Sequence, residues 1–135
     1  MENLAPVAYL ACPYSHPDPQ IKAMRLQCAT ATAFHLIKQG IYVYSPLTHN
    51  MTTIDALGIH GHWDTWKTFD FAMISRCDKL IVLTLPGWEE SRGVMDEIDF
   101  AHKIGLPVEE MDFPQECLTL ISTPVFRKET VEIKA

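Results

Sequence analysis

Two acidic residues, Asp70 and Glu97, lie among apolar side chains on predicted helices. In the segment 63–77, Asp70 lies within an apolar stripe at helical spacing. The apolar residues of this stripe are Trp63, Trp66, Phe69, Met73, Ile74 and Cys77. In the segment 91–104, Glu97 lies within a second stripe, whose apolar residues are Val94, Ile98, Ala101 and Ile104. Burying an unpaired carboxylate costs several kcal/mol or forces its protonation. Two such acids suggest a functional site, although each could instead cap a backbone group or pair with an arginine.

The segment 87–93 has the composition of an anion-binding turn. It contains two glycines, with Ser91 as a candidate helix N-cap and Arg92 in the first helical turn. Open backbone N–H groups and the helix dipole favour a phosphate at such a position. The alternative is an ordinary N-cap followed by a solvated arginine.

Polar side chains also follow the first two predicted strands. Tyr14 could hydrogen-bond to a carboxylate or a sugar hydroxyl, or it could pack with its hydroxyl in water. His49 is the histidine that we expect to face a ligand. His60 and His62 have no third ligand at metal-site spacing, so no metal is predicted. The chain has no Walker A, GxGxxG or GxSxG motif, so kinase, classical dehydrogenase and α/β-hydrolase interpretations lack their usual support.

The composition is that of one globular domain. The 135 residues are 47% apolar, enough for a single sizeable core. A net charge of −6 argues against binding a nucleic acid polymer but leaves room for a small anionic ligand. The four cysteines lack CxxC spacing, so neither a zinc site nor a disulfide framework is indicated. With no signal peptide and no long apolar run, we expect a cytoplasmic protein without a membrane partner.

Strands and helices alternate along the chain. Strands are predicted at 7–12, 41–45, 79–85 and 106–109, and helices at 17–39, 63–77 and 91–104. The first helix has as its core candidates Ile21, Met24, Leu26, Cys28, Ala31, Phe34 and Leu36. This alternation predicts an α/β fold, a flavodoxin/Rossmann-like three-layer sandwich whose parallel sheet has the order 2-1-3-4. Ligands bind at the carboxyl ends of such strands, close to where both helices with buried acids begin.

Two segments do not follow this alternation. Residues 47–62 show no clear period, and loops of that length are often functional lids. We expect residues 1–111 to form the α/β domain and 112–135 a tail, whose β-prone stretches 118–121 and 130–133 could add an edge hairpin or reach a partner subunit. Aromatic residues near Trp63, Trp66 and Trp88, together with the apolar tail, predict a homodimer or higher homo-oligomer.

Three segments resemble a known superfamily. Residues 9–14, Tyr-Leu-Ala-Cys-Pro-Tyr, resemble the first strand and loop of the nucleoside 2-deoxyribosyltransferase superfamily. Residues 91–97 resemble its nucleophile segment, in which a glutamate follows a polar residue by six positions, and Asp70 matches its helical aspartate. The chain from 7 to 108, including 88–93, resembles still more the DUF1937 family.

The superfamily resemblance implies roles for individual residues. Glu97 would be the nucleophile, Asp70 would protonate the leaving base or hold the sugar, and Tyr14 would orient Glu97. Ser91 stands at the position where nucleotide N-glycosidases carry a serine for the 5′-phosphate. Nucleoside transferases carry an aspartate at the same position. The expected substrate-binding residues are Ser91, Arg92, Gly93, Cys12, Pro13, Ser15, His49 and Trp88. No metal or redox cofactor is implied.

Three functions remain open from the sequence. The first is an N-glycosidase or (deoxy)ribosyltransferase acting on a nucleoside 5′-monophosphate. Its oxocarbenium-like transition state needs one ionised carboxylate and a second, drier acid to protonate the base. The second is a non-catalytic nucleotide sensor on the same fold, and the third a structural or scaffold subunit.

Overall fold

A four-stranded parallel sheet forms the centre of the protein. The computed structural model describes residues 5–59 and 63–121, apart from the side chains of Thr52 and Thr53. The strands are β1 (Val7–Ala11), β2 (Tyr42–Tyr44), β3 (Lys79–Leu83) and β4 (Val108–Met111). Their order is β2-β1-β3-β4, which confirms the predicted topology.

Helices cover both faces of the sheet. One face packs against α1 (Pro19–Lys38) and a 3₁₀ helix at Gln115–Leu120. The other face packs against α3 (Trp63–Ile74) and α4 (Arg92–Lys103). Because side chains alternate along a strand, Ala8 and Leu10 of β1 belong to the first core, whereas Tyr9 and Ala11 belong to the second. The two apolar layers on either side of the sheet confirm the α/β fold class.

The α1 helix begins at Pro19, two residues after the predicted start. The side chain of Asp18 caps the helix by accepting a hydrogen bond from the Gln20 N–H, at 2.9 Å. The prediction that Phe34 is buried is wrong, since its side chain is 57% exposed. Phe34 lies about 200° around the helix from the buried Thr32, because successive residues turn by about 100°.

The other two long helices bury the predicted acids. Asp70 and Glu97 are both buried, as their spacing predicts. Phe69 and Ile104, which were expected to point inward, are exposed. Phe69 makes an edge contact with Trp66 at the surface, and Ile104 is the C-cap residue of α4, beyond its last full turn.

The segment expected to be an irregular lid contains two short helices. A π-helix at Leu47–Met51 leads into α2 (Thr52–Ala56), and residues 60–62 lie outside the described part of the chain. The turn begins at Ser45, whose carbonyl accepts from the His49 N–H and whose hydroxyl lies 2.9 Å from that of Thr48. Helices this short do not complete an apolar period, which is why the pattern indicated a loop.

The start of the tail belongs to the core. Phe113, Cys117 and Ile121 are buried against the α1 side of the sheet, at a spacing of four residues. Residues 118–121 therefore do not form the strand that their β-prone composition suggested, because burial of this helical stripe outweighs local propensity. The stretch 130–133 lies outside the described residues.

Candidate functional site

A cavity of about 690 Å³ opens at the carboxyl edge of the sheet. Its wall comes from the segments that follow β1, β2 and β3, and from the facing sides of α1, α3 and α4. Asp70 and Glu97 both line it, so the fold brings the two predicted acids to one place. A cavity of this size accommodates a nucleotide-sized ligand.

The Tyr9 hydroxyl bonds to one of the two buried acids. From β1, it donates a hydrogen bond of 2.5 Å to Oε2 of Glu97 in α4. Asp70 is 6% exposed and Glu97 5%, so neither carboxyl is solvated by bulk water. Asp70 Oδ1 has no hydrogen-bond partner among the described residues.

Burial changes the protonation of this pair. Desolvation raises the pKa of Glu97 to about 8, with a further rise from the nearby Asp70 charge and an opposing effect of the Tyr9 hydrogen bond. Desolvation likewise raises the pKa of Asp70 to about 6, again opposed by the Tyr9 hydrogen bond. At neutral pH the pair therefore shares one proton.

Tyr14 has a different partner from the one expected. Its hydroxyl donates to Asp55 in α2, and Lys22 lies over its ring, 5.0 Å from the centroid. Tyr9, which the sequence analysis missed, contacts Glu97 instead. The alternation of side chains along β1 could have indicated Tyr9, because it directs Tyr9 to the sheet face covered by α3 and α4. Tyr14, by contrast, lies beyond the end of the strand.

The N-terminus of α4 lies at the cavity wall. Ser91 is the N-cap, and its hydroxyl accepts from the Val94 N–H at 3.3 Å, as predicted. The Arg92 side chain is 70% exposed but is not isolated, since it lies 3.5 Å from an oxygen of Asp64 and 3.7 Å from one of Asp96. Any anion bound here shares Arg92 with these two carboxylates.

The remaining predicted binding residues divide into two groups. The cavity wall includes Cys12, Ser15 and Gly93. The predicted residues that lie outside the wall formed by the described part of the chain are Pro13, His49 and Trp88. Next to His49, Asn50 lines the cavity, and its Nδ2 has no hydrogen-bond partner within the described ranges. Asn50 Nδ2 and Asp70 Oδ1 are thus both buried without a hydrogen-bond partner among the described residues.

Arg25 is a second residue that the sequence analysis missed. It lines the cavity, although its side chain is only 7% exposed. The helical spacing from Arg25 to the buried residues Cys28, Thr32 and Leu36 was the available signal. A buried arginine on this stripe needs carbonyl or carboxylate partners, and the structure supplies carbonyls.

The described residues contain no cluster of side chains with the arrangement of a metal site, and none of their helices is long and apolar enough to cross a bilayer. All four cysteines are free thiols. The groups available at the cavity are a carboxyl pair, a tyrosine hydroxyl and a capped helix N-terminus. This set can perform nucleophilic and acid–base chemistry.

The fold and the cavity define an α/β protein with a buried carboxyl pair at the carboxyl edge of its parallel sheet. Residues 6–113 match the family model described as "Domain of unknown function (DUF1937)", and the chain belongs to that family. The match spans all four strands and both buried acids. No curated protein matches the sequence significantly.

Proposed function

We propose that the protein cleaves the N-glycosidic bond of a nucleoside 5′-monophosphate through a covalent glycosyl ester on Glu97. The observation that carries the proposal is the pair of buried acids, Glu97 and Asp70, at one cavity with the Tyr9 hydroxyl. The resemblance of residues 9–14 and 91–97 to the nucleoside 2-deoxyribosyltransferase superfamily supports the same chemistry.

The shared proton sets the roles of the two acids. Before reaction the two acids share one proton, which lies on Asp70 when substrate fills the cavity. The Glu97 carboxylate then attacks the anomeric carbon while the C–N bond breaks, and Asp70 returns the proton to the leaving nitrogen of the base. Tyr9 keeps Glu97 oriented throughout, because its raised pKa keeps the hydroxyl a donor.

Water completes the cycle. Asp70, now ionised, takes a proton from a water molecule that attacks the anomeric carbon, and Glu97 departs as a carboxylate. The proton on Asp70 is then shared with Glu97 again. If a second base attacks in place of water, the same intermediate gives transfer rather than hydrolysis.

The 5′-phosphate binds at the N-terminus of α4 in this proposal. The Ser91 hydroxyl and the open N–H groups of the first turn donate to it, and Arg92 adds positive charge. Asn50, a residue of the cavity wall, is the side chain assigned to a polar edge of the base.

The test is incubation with a panel of ribo- and deoxyribonucleoside 5′-monophosphates, with and without a second base, followed by chromatography of free base. We expect release by the wild type and by Glu89→Gln, an exposed control outside the cavity wall, and loss of release in Glu97→Gln. Absence of release from every substrate, with or without an acceptor base, contradicts the proposal.

A second candidate is a non-catalytic nucleotide sensor on the same fold. The raised pKa of Glu97 favours it, because a carboxyl protonated near neutrality can donate a hydrogen bond to a ligand without attacking it. A sensor binds a monophosphate without releasing base, and Glu97→Gln keeps most of that binding. Calorimetry with the same panel separates the sensor from the enzyme.

A further inference from the structure

Arg25 connects the two loops that follow the central strands. Its Nη1 donates to the Ser15 carbonyl at 3.0 Å and reaches the Tyr14 carbonyl at 3.5 Å. Its Nη2 donates to the Pro86 carbonyl at 2.8 Å. These carbonyls belong to the segment after β1 and the segment after β3, which are adjacent strands at the cavity.

Gly87 leaves room for the Arg25 guanidinium because it has no side chain. Its φ of +89° is in the left-handed region, and a Cβ at this position would lie 2.7 Å from Arg25 Nη2. The chain passes from Gly87 through the 3₁₀ helix Trp88–Glu90 directly to the cap residue Ser91. The position of Gly87 against Arg25 therefore sets where the N-terminus of α4 lies relative to Ser15.

We propose that Arg25 is a positioning residue that holds the 12–16 and 86–91 loops at the separation a substrate needs. This inference rests on the proposed function, in which these loops hold the substrate. Tyr9 belongs to the opposite face of the sheet from the α1 core, so the carboxyl pair it contacts is supported independently of Arg25. A lysine cannot replace the forked guanidinium of Arg25, because its single ammonium group cannot bond to both loops with the same geometry.

The test compares Arg25→Lys with Arg76→Lys, a matched change of an exposed arginine that bonds only within its own helix end among the contacts described. Hydrogen exchange by mass spectrometry follows the segment 85–91, where the Trp88 N–H donates to the Leu85 carbonyl and the Ser91 N–H to the Trp88 carbonyl. We expect exchange of this segment to rise about tenfold in Arg25→Lys, as local opening becomes easier, and to stay unchanged in Arg76→Lys.

Kinetics with the monophosphate released fastest by the wild type give the functional readout. Arg25→Lys and Gly87→Ala should each raise KM about tenfold, with kcat within about twofold and the pH profile unchanged, since the loops are misplaced and the acids are not. A purely structural role would lower kcat through loss of active protein and leave KM unchanged.

Unchanged exchange of 85–91, or an unchanged KM, overturns the proposal. If the wild type releases no base from any monophosphate, it is the proposed function that fails. The exchange comparison then still decides whether Arg25 holds the loops together, because that measurement requires no turnover.

Discussion

Tyr9 is the residue on which the chemistry of the carboxyl pair depends. Its hydroxyl is the only donor to Glu97 among the side-chain hydrogen bonds described, and it lowers the pKa of both acids against the effect of burial. Without it, a buried carboxyl would lose its partner and its orientation together.

Replacing Tyr9 by Phe should impair turnover more than folding. We expect kcat/KM to fall about a hundredfold, because Glu97 loses its orientation, and the activity profile to shift to higher pH as the pKa of Glu97 rises further. Rate measurements between pH 5 and 9 check this, with Tyr42→Phe, an exposed tyrosine of β2, as control. A profile identical to the wild type would contradict the role assigned to Tyr9.

The raised pKa values also predict how stability depends on pH. Glu97 ionises near 4.5 when unfolded and near 8 when folded, so between these values the folded protein holds a proton that the unfolded chain has released. The free energy of unfolding should therefore fall as pH rises from about 5 to 8, with Asp70 contributing up to about pH 6. Urea unfolding across this range should show a shallower dependence for Glu97→Gln. Equal slopes would show that Glu97 does not titrate in this way.

At the scale of elements, the α4 helix combines a cap and a ligand position in one residue. Ser91 stabilises the helix through the Val94 N–H, and the same hydroxyl lines the cavity. The two roles can be separated, because Asp caps a helix about as well as Ser but repels a phosphate.

Ser91→Asp should therefore fold normally and change substrate preference. We expect the ratio of kcat/KM for a monophosphate over its nucleoside to fall at least about tenfold, the equivalent of about 1.4 kcal/mol of lost phosphate interaction. Base release from matched nucleotide and nucleoside pairs measures the ratio, and Ser75→Asp, at an exposed serine after α3, is the control. A preserved ratio would place the phosphate elsewhere in the cavity.

At the scale of the whole molecule, the exposed apolar residues differ from those first expected. Trp63, Trp66 and Trp88 are partly buried in the protein. The exposed large apolar side chains of the described residues are Phe34, Ile37, Tyr42, Leu57, Ile59, Phe69, Ile104 and Leu120. The apolar surface available for self-association therefore comes from residues other than the tryptophans.

We propose on this basis that the chain forms a homodimer or a higher homo-oligomer. Sedimentation velocity at micromolar concentration should give at least twice the 15.3 kDa mass of one chain. A single species with the mass of one chain would contradict the proposal.

The order of the sheet and the burial of the two acids could be predicted from the sequence by itself. Strand and helix periods are local patterns, and right-handed crossovers leave few ways to join them. Asp70 and Glu97 lie in apolar stripes, and Ser91 directly precedes one of them. The burial of the two acids and the capping role of Ser91 could therefore be predicted from residues nearby in the sequence. The long helices span enough residues to show a period, whereas the short helices of 47–56 do not.

Only the tertiary structure decided which groups meet. Tyr9 and Glu97 are 88 positions apart, and Arg25 and Pro86 are 61 apart, so no local pattern relates them. Tyr14, which follows the strand, was the expected partner of Glu97, but its hydroxyl bonds to Asp55. The direction of the side chains in β1 brings Tyr9 to Glu97 instead. Periodicity states which face a residue occupies, whereas the packing of one element on another determines its partner.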